Sequence, residues 1–164
     1  RAMALSAPAP AGVSPAAAAL VLLMADPDTP IWLDAPAEAA LPWILFHTGA
    51  PRVAAPGEAA LALGRWDALM PLDAWAQGTP EYPDRSATLI VEVAALTGGP
   101  ALALSGPGIR DSQAISPLLP AGAAAALAAN AARFPLGVDL FLAAGAQVMG
   151  LPRSTRVAAS AGPG

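Results

Sequence analysis

Apolar and polar positions change over in short blocks along this chain, and each block is closed by proline or glycine. Residues 1–15 are rich in alanine and proline and read as an extended arm. Ser14-Pro15 then has the form of an N-cap followed by a proline at the first helical position. The run 16–25 favours a helix by propensity and stops at Asp26-Pro27-Asp28-Thr29-Pro30. Ile31-Trp32-Leu33 predicts a short strand. Residues 35–46 predict a second helix, with Pro42 kinking or splitting it and Thr48-Gly49 closing it. Residues 52–55 and 60–63 are short strand candidates around Pro56-Gly57. Residues 65–75 predict one or two helical turns broken by Pro71, and 77–83 a loop.

The strongest strand is 87–95, where Thr88, Leu89, Ile90, Val91 and Val93 are strand formers. Thr97-Gly98-Gly99-Pro100 leads into a candidate strand at 101–104, and the two read as a β-hairpin. Pro120 opens an alanine-rich helix that ends near Arg133, with Pro135 as its stop. Residues 138–143 form a strand candidate, Gly145 the turn, and 147–150 the return. The order predicts an α/β fold in which helices cover a mixed sheet. Three parts are expected: an arm at 1–15, incomplete because Arg1 is no natural start; one α/β domain at 16–157; and a flexible tail at 158–164.

Composition narrows the chemistry. The chain has 164 residues, no cysteine, and a formal net charge of −4. All eight of its basic residues are arginine. Without lysine it can form no Schiff base and no phosphate loop ending in Lys-Ser/Thr. Without cysteine it offers no thiolate for zinc, an iron–sulfur cluster or nucleophilic catalysis. No metal site and no cofactor is expected. A pI near 4.7 argues against a nucleic-acid partner. The longest apolar run, 16–25, is too short to span a membrane. Prolines at 8, 10 and 15 break any leader-like hydrophobic stretch, so a cytoplasmic location is expected.

Several residues could carry chemistry, and each has a structural reading beside it. His47 suits acid–base work, or, as the simpler reading, capping or packing at a helix C-terminus. Glu81 and Asp84, with Tyr82 and Arg85, are the densest polar segment. They could act as acid–base groups or bind a polar ligand, or simply close a turn around Pro83. Arg85, Arg153 and Arg156 could hold phosphate or carboxylate, or form surface ion pairs. Ser105-Gly106-Pro107-Gly108 fits neither the dinucleotide nor the Walker pattern. Trp32, Trp43, Trp66 and Trp75 are core or interface residues. The residues alone allow an assembly subunit, an independent acid–base enzyme using His47, or a stand-alone binding module for a phosphorylated ligand.

An ordered set of short motifs goes further. It runs from Asp26-Pro27-Asp28-Thr29-Pro30-Ile31-Trp32-Leu33 and Phe46-His47-Thr48-Gly49-Ala50, through Glu81-Tyr82-Pro83-Asp84-Arg85-Ser86-Ala87-Thr88, to Leu104-Ser105-Gly106-Pro107-Gly108-Ile109. Phe134-Pro135-Leu136-Gly137-Val138-Asp139 and Leu151-Pro152-Arg153-Ser154-Thr155-Arg156 complete it. The chain resembles the H subunit of the bacterial carbon–phosphorus lyase system for phosphonate breakdown. The likeness covers 16–157. That family's opening Ala-Arg-Pro-Gly-like segment has only a faint echo in Ala4-Leu5-Ser6-Ala7-Pro8.

The resemblance implies a three-layer α/β fold like a reduced large domain of pyridoxal-phosphate-dependent transferases, without the cofactor. It implies a homodimer that joins the G, I and J subunits in a core complex. It also implies an accessory, non-catalytic role, with the I, G and L proteins, in making a ribose 1-phosphonate 5-triphosphate from ATP and an alkyl phosphonate. Radical cleavage would belong to the J subunit. The apolar content of 55% then suggests buried subunit interfaces that draw on the four tryptophans.

Overall fold

A computed structural model describes residues 2–4 and 7–159. Arg1, Leu5 and Ser6 of the expected arm, and 160–164 of the expected tail, lie outside the described residues. The centre of the molecule is a six-stranded mixed sheet in the order β1-β8-β7-β4-β3-β2. Strands β2 (Ile31–Leu33), β3 (Leu61–Arg65), β4 (Thr88–Glu92) and β7 (Asp139–Ala144) run parallel. β8 (Gln147–Leu151) returns antiparallel to β7 through the turn at Gly145, where φ is +55°. β1 (Met3–Ala4) adds an edge strand on β8, so the arm contributes to the sheet.

Because side chains alternate across a strand, this sheet buries two faces at once. Ile31, Leu33, Leu61, Leu63, Ile90, Ala143 and Val148 face one cluster. Leu89, Val91, Leu140, Leu142, Met149 and Leu151 face the other. The first face is covered by α1 (Pro15–Met24) and α2 (Leu41–Thr48). Ser14 caps α1, its Oγ accepting from the Ala17 N–H at 3.2 Å, with Pro15 at the first turn. Pro42 starts α2 rather than kinking it. A short 3₁₀ turn, Ala37–Ala40, takes the residues before it. Gly49 closes α2 at φ +69°, the left-handed geometry that glycine adopts without strain.

The opposite face is covered by α3 (Trp66–Leu69), α4 (Ala123–Ala131) and a second sheet. That antiparallel sheet has three strands in the order β6-β5-β9, from Gln113–Ile115, Leu102–Ser105 and Arg156–Ala159. The hairpin expected from 87–95 and 101–104 does not form. β4 lies between β3 and β7 in the main sheet, whereas β5 pairs with β6 and β9. The intervening segment is too long for a tight hairpin turn. Its Gly99 N–H bonds to the Ser116 carbonyl, and Leu96 is buried in the core. β9 also extends into the expected tail as far as Ala159. Residues 52–55 supply only an isolated bridge from Arg52 to Ile31.

Buried polar groups lock the turns between layers. Asn130 at the end of α4 is buried. Its side chain donates to the Val138 carbonyl at 2.8 Å and accepts from the Val138 N–H at 2.9 Å. Both ends of one amide therefore satisfy the backbone that enters β7, where an unpaired group would be costly.

Candidate functional site

The parallel strands β2, β3 and β4 end together, and their carboxyl ends carry a polar cavity of about 450 Å³. Ligands in open α/β sheets bind at this edge as a rule. Asp34, Arg65 and Glu92 line it, together with Ser14 and Gly12. The strand register creates the grouping: Arg65 stands opposite Glu92, and Leu33 opposite Leu63, which brings Asp34 beside Gly64.

Asp34 is only 5% exposed, yet both of its oxygens are used. Oδ1 accepts from the Ala37 N–H at 2.9 Å, and Oδ2 from the Arg65 N–H at 2.9 Å. The Arg65 guanidinium approaches at 4.0 Å from an exposed position. Gly64 makes room for this carboxylate, since a Cβ there would stand 2.8 Å from the Asp34 Cβ. Glu92 accepts from the Ser14 N–H at 2.6 Å, at the start of α1. Burial pushes the Glu92 carboxyl above its ordinary pKa, and the nearby Asp34 charge adds to this; the Ser14 hydrogen bonds work against them. The arrangement holds two acidic groups, one with strengthened affinity for a proton, beside an exposed guanidinium. It can bind a polar group or hold a proton.

The residues expected from sequence lie elsewhere. His47 is exposed near the end of α2. Its ring sits 4.7 Å from Trp43 and 5.0 Å from Phe46, and among the described residues no carboxylate pairs with it. Glu81 and Asp84 are exposed in the loop before β4, where Asp84 lies in a 3₁₀ turn. Arg85 lies 4.1 Å over the Tyr82 ring. Arg153 is committed to the fold. It pairs with Asp139 at 3.0 Å and donates to the carbonyls of Pro83 at 2.6 Å and Gly137 at 3.2 Å. Arg156 is exposed and lines a different cavity, whose walls include neither Arg85 nor Arg153. The three arginines therefore do not gather on one concave surface. Among the described residues, no group of three His, Asp or Glu side chains has a metal-binding arrangement.

The tryptophans divide. Trp66 and Trp75 are 7% and 3% exposed, so they are packed in the core of this chain. Trp75 donates to the Leu69 carbonyl at 2.7 Å and meets half-buried Trp32 edge to face at 5.2 Å. Trp43 is half-buried on α2 and keeps part of its ring accessible. Sequence reasoning missed Asp34, Arg65 and Glu92. The available signal was a charged residue at the end of each strand block: Leu33-Asp34, Gly64-Arg65 and Val91-Glu92.

Fold and cavity define a class first: an α/β domain with a polar cavity at the carboxyl end of a mostly parallel sheet. The chain belongs to the bacterial phosphonate metabolism protein (PhnH) family, whose model matches residues 1–158. It is 45% identical over 152 residues to the alpha-D-ribose 1-methylphosphonate 5-triphosphate synthase subunit PhnH of Rhizobium meliloti (strain 1021). That match covers 90% of this chain and 76% of the relative. The putative C-P lyase subunit protein HtxG of Stutzerimonas stutzeri is 40% identical over 82 residues, 49% of this chain and 42% of the relative.

Proposed function

We propose that this chain is an accessory subunit of the assembly that makes ribose 1-phosphonate 5-triphosphate from ATP and an alkyl phosphonate. One observation carries the reading: 45% identity across 90% of the chain with a protein named as a subunit of such a synthase. The surface agrees with a role in assembly. Helix α1 is apolar on every side, and such helices are normally enclosed. Yet Leu23 of α1 is 71% exposed and Phe46 of α2 is 85% exposed, with Leu22 and Leu45 beside them in sequence. Exposed apolar surface of this kind marks an interaction site.

The finer parts of the proposal follow the family resemblance. The chain forms a homodimer and joins the G, I and J subunits. It works in the cytoplasm, where ATP is available. Residues 16–157 act as one domain that resembles a reduced pyridoxal-phosphate transferase large domain. No lysine in these 164 residues could anchor that cofactor as an aldimine. The role is non-catalytic, a reading supported by the separation of His47 from Glu81 and Asp84.

Reconstitution tests the proposal. The phosphonate–ATP reaction is run with the partner subunits, with and without this chain. Loss of product without the chain, and its return on adding the chain back, is expected. Full product formation without the chain would overturn the reading.

A further inference from the structure

The outer edges of the two sheets are covered unequally. In the main sheet, β1 pairs with part of β8. Arg52 bridges to Ile31 beside β2, and the Val53 N–H donates to the Ile31 carbonyl at 2.9 Å. In the second sheet, α4 packs along β9. β6 has no such cover. It pairs with β5 alone, and among the described residues no backbone group from elsewhere bonds to Gln113, Ala114 or Ile115. We infer that β6 is a docking edge for an extended, acidic segment of a partner subunit, which joins the second sheet as a fourth strand. This contact belongs to the proposed assembly, on which it rests, and lies apart from the apolar helices α1 and α2.

The backbone selects a strand as the occupant. In an antiparallel pair, successive residues turn their N–H and C=O groups alternately toward the neighbour and away from it. At least one residue of β6 therefore presents both groups outward with no protein partner. Free edges are commonly guarded by charge, proline or a bulge. Gln113-Ala114-Ile115 carries neither charge nor proline, and its ladder to β5 is regular. Ala114 is exposed and small, so another backbone can come close. Three residues make a short ladder, and a side-chain contact must add to it.

Arg110 supplies that contact and sets its charge. It is exposed in the loop that enters β6, and among the described residues no carboxylate pairs with it, neighbouring Asp111 included. Exposed Arg156 is also unpaired, but it stands on β9, on the other side of β5. A carboxylate on the added strand would match the guanidinium of Arg110. A second copy of this chain would not bring one. If two β6 strands paired antiparallel about any point from 113 to 115, Arg110 would stand opposite one of residues 116–120. Ser116-Pro117-Leu118-Leu119-Pro120 holds no acid. The occupant is therefore a different chain.

Residue-resolved hydrogen exchange, on the full chain alone and in complex with its purified partner subunits, tests this. Those amides of 113–115 that do not bond to β5 are expected to slow at least about tenfold in the complex, with smaller changes across the loop 107–112. R110Q is expected to weaken the complex by at least about tenfold, the effect of one charge-assisted bond, and circular dichroism confirms that the variant folds. A complex that forms and makes product while 113–115 exchange as in the free chain overturns the contact and leaves the subunit reading intact. No complex at all overturns both. Equal slowing across 107–115 would mark general cover in place of an added strand, and R110Q binding as tightly as wild type would remove the acidic partner; each overturns the inference. Slowing in the free chain that grows with its concentration would mark a second copy and overturns it as well.

Discussion

The two faces of the main sheet are covered by different means. One face is covered within this chain: the second sheet, α4 and the Trp66 and Trp75 rings close over Leu89, Val91, Leu140 and Leu142. The other is covered by α1 and α2, whose contact with the sheet is made largely by alanines and a few branched side chains. Those helices remain apolar on their outer side, at Leu23 and Phe46. The strands of the first face lie under a full second layer of this chain, whereas the helices over the second face carry adjacent exposed apolar residues for something else to cover. Stability should therefore concentrate on the first face and association on the second.

Breaking the sealed face should have the largest effect. Trp75→Ala removes a buried indole, its bond to the Leu69 carbonyl and its edge contact with Trp32. A loss of about 3–5 kcal/mol is expected, read as a lower midpoint in urea unfolding. A loss below 1 kcal/mol would mean that this face collapses to fill the gap, and the contrast between the faces would weaken.

Gly64→Ala probes the polar end of the sheet between the two faces. The added Cβ meets Asp34, and the Asp34 carboxylate holds the Arg65 and Ala37 amides. A cost of about 1–3 kcal/mol is expected in the same experiment, from overpacking against a buried, bonded group. Gly98→Ala is a useful control for crowding, because the space around Gly98 is open and only its φ of +91° resists substitution.

Substitutions on the unfinished face should reverse this pattern. Leu23→Glu and Phe46→Asp are expected to leave unfolding within about 0.5 kcal/mol of wild type, as exposed positions do. Co-purification with the partner subunits, or self-association in sedimentation, should fall by at least about tenfold. Unchanged association would remove the argument that this face is a docking surface.

The contrast between the faces was only partly legible in the sequence. Ile31-Trp32-Leu33 and the β7–β8 hairpin were readable because their signals are local: a strand bounded by prolines, and two strands around Gly145. The second sheet was not. β9 pairs Arg156 with Ser105, about fifty positions away in the chain, and its small residues look like a tail. The residues of β4 predict a strand but not its partners, because strand propensity says nothing about which sheet receives the strand, and the expected hairpin with β5 does not form. The tryptophans were recognised as core or interface, but only the burial of Trp66 and Trp75 decides which. The same limit hid the carboxyl-edge cavity. Asp34, Arg65 and Glu92 are far apart in the chain, and a parallel register joins them.

The smallest effect expected is on the pH dependence at Glu92, and it sharpens the role of the carboxyl edge. Burial raises the pKa of this carboxyl in the folded chain, whereas in the unfolded chain it returns to the ordinary value. Between those two values the folded state binds more protons than the unfolded state. Stability must then fall as pH rises through that interval, the opposite of a paired surface carboxylate. E92Q removes the titration while keeping an oxygen to accept from the Ser14 N–H. Above the interval, the wild type holds a charge that burial disfavours, so E92Q should be equally or more stable. Below it the wild type is protonated, and this advantage should disappear. Urea midpoints for both proteins, measured from mildly acidic to neutral pH, show whether the gap opens with rising pH. A gap that instead closes with rising pH would mean that the Ser14 bonds and Arg65 outweigh desolvation, and the edge would then be an anchored ion pair and not a proton-holding site.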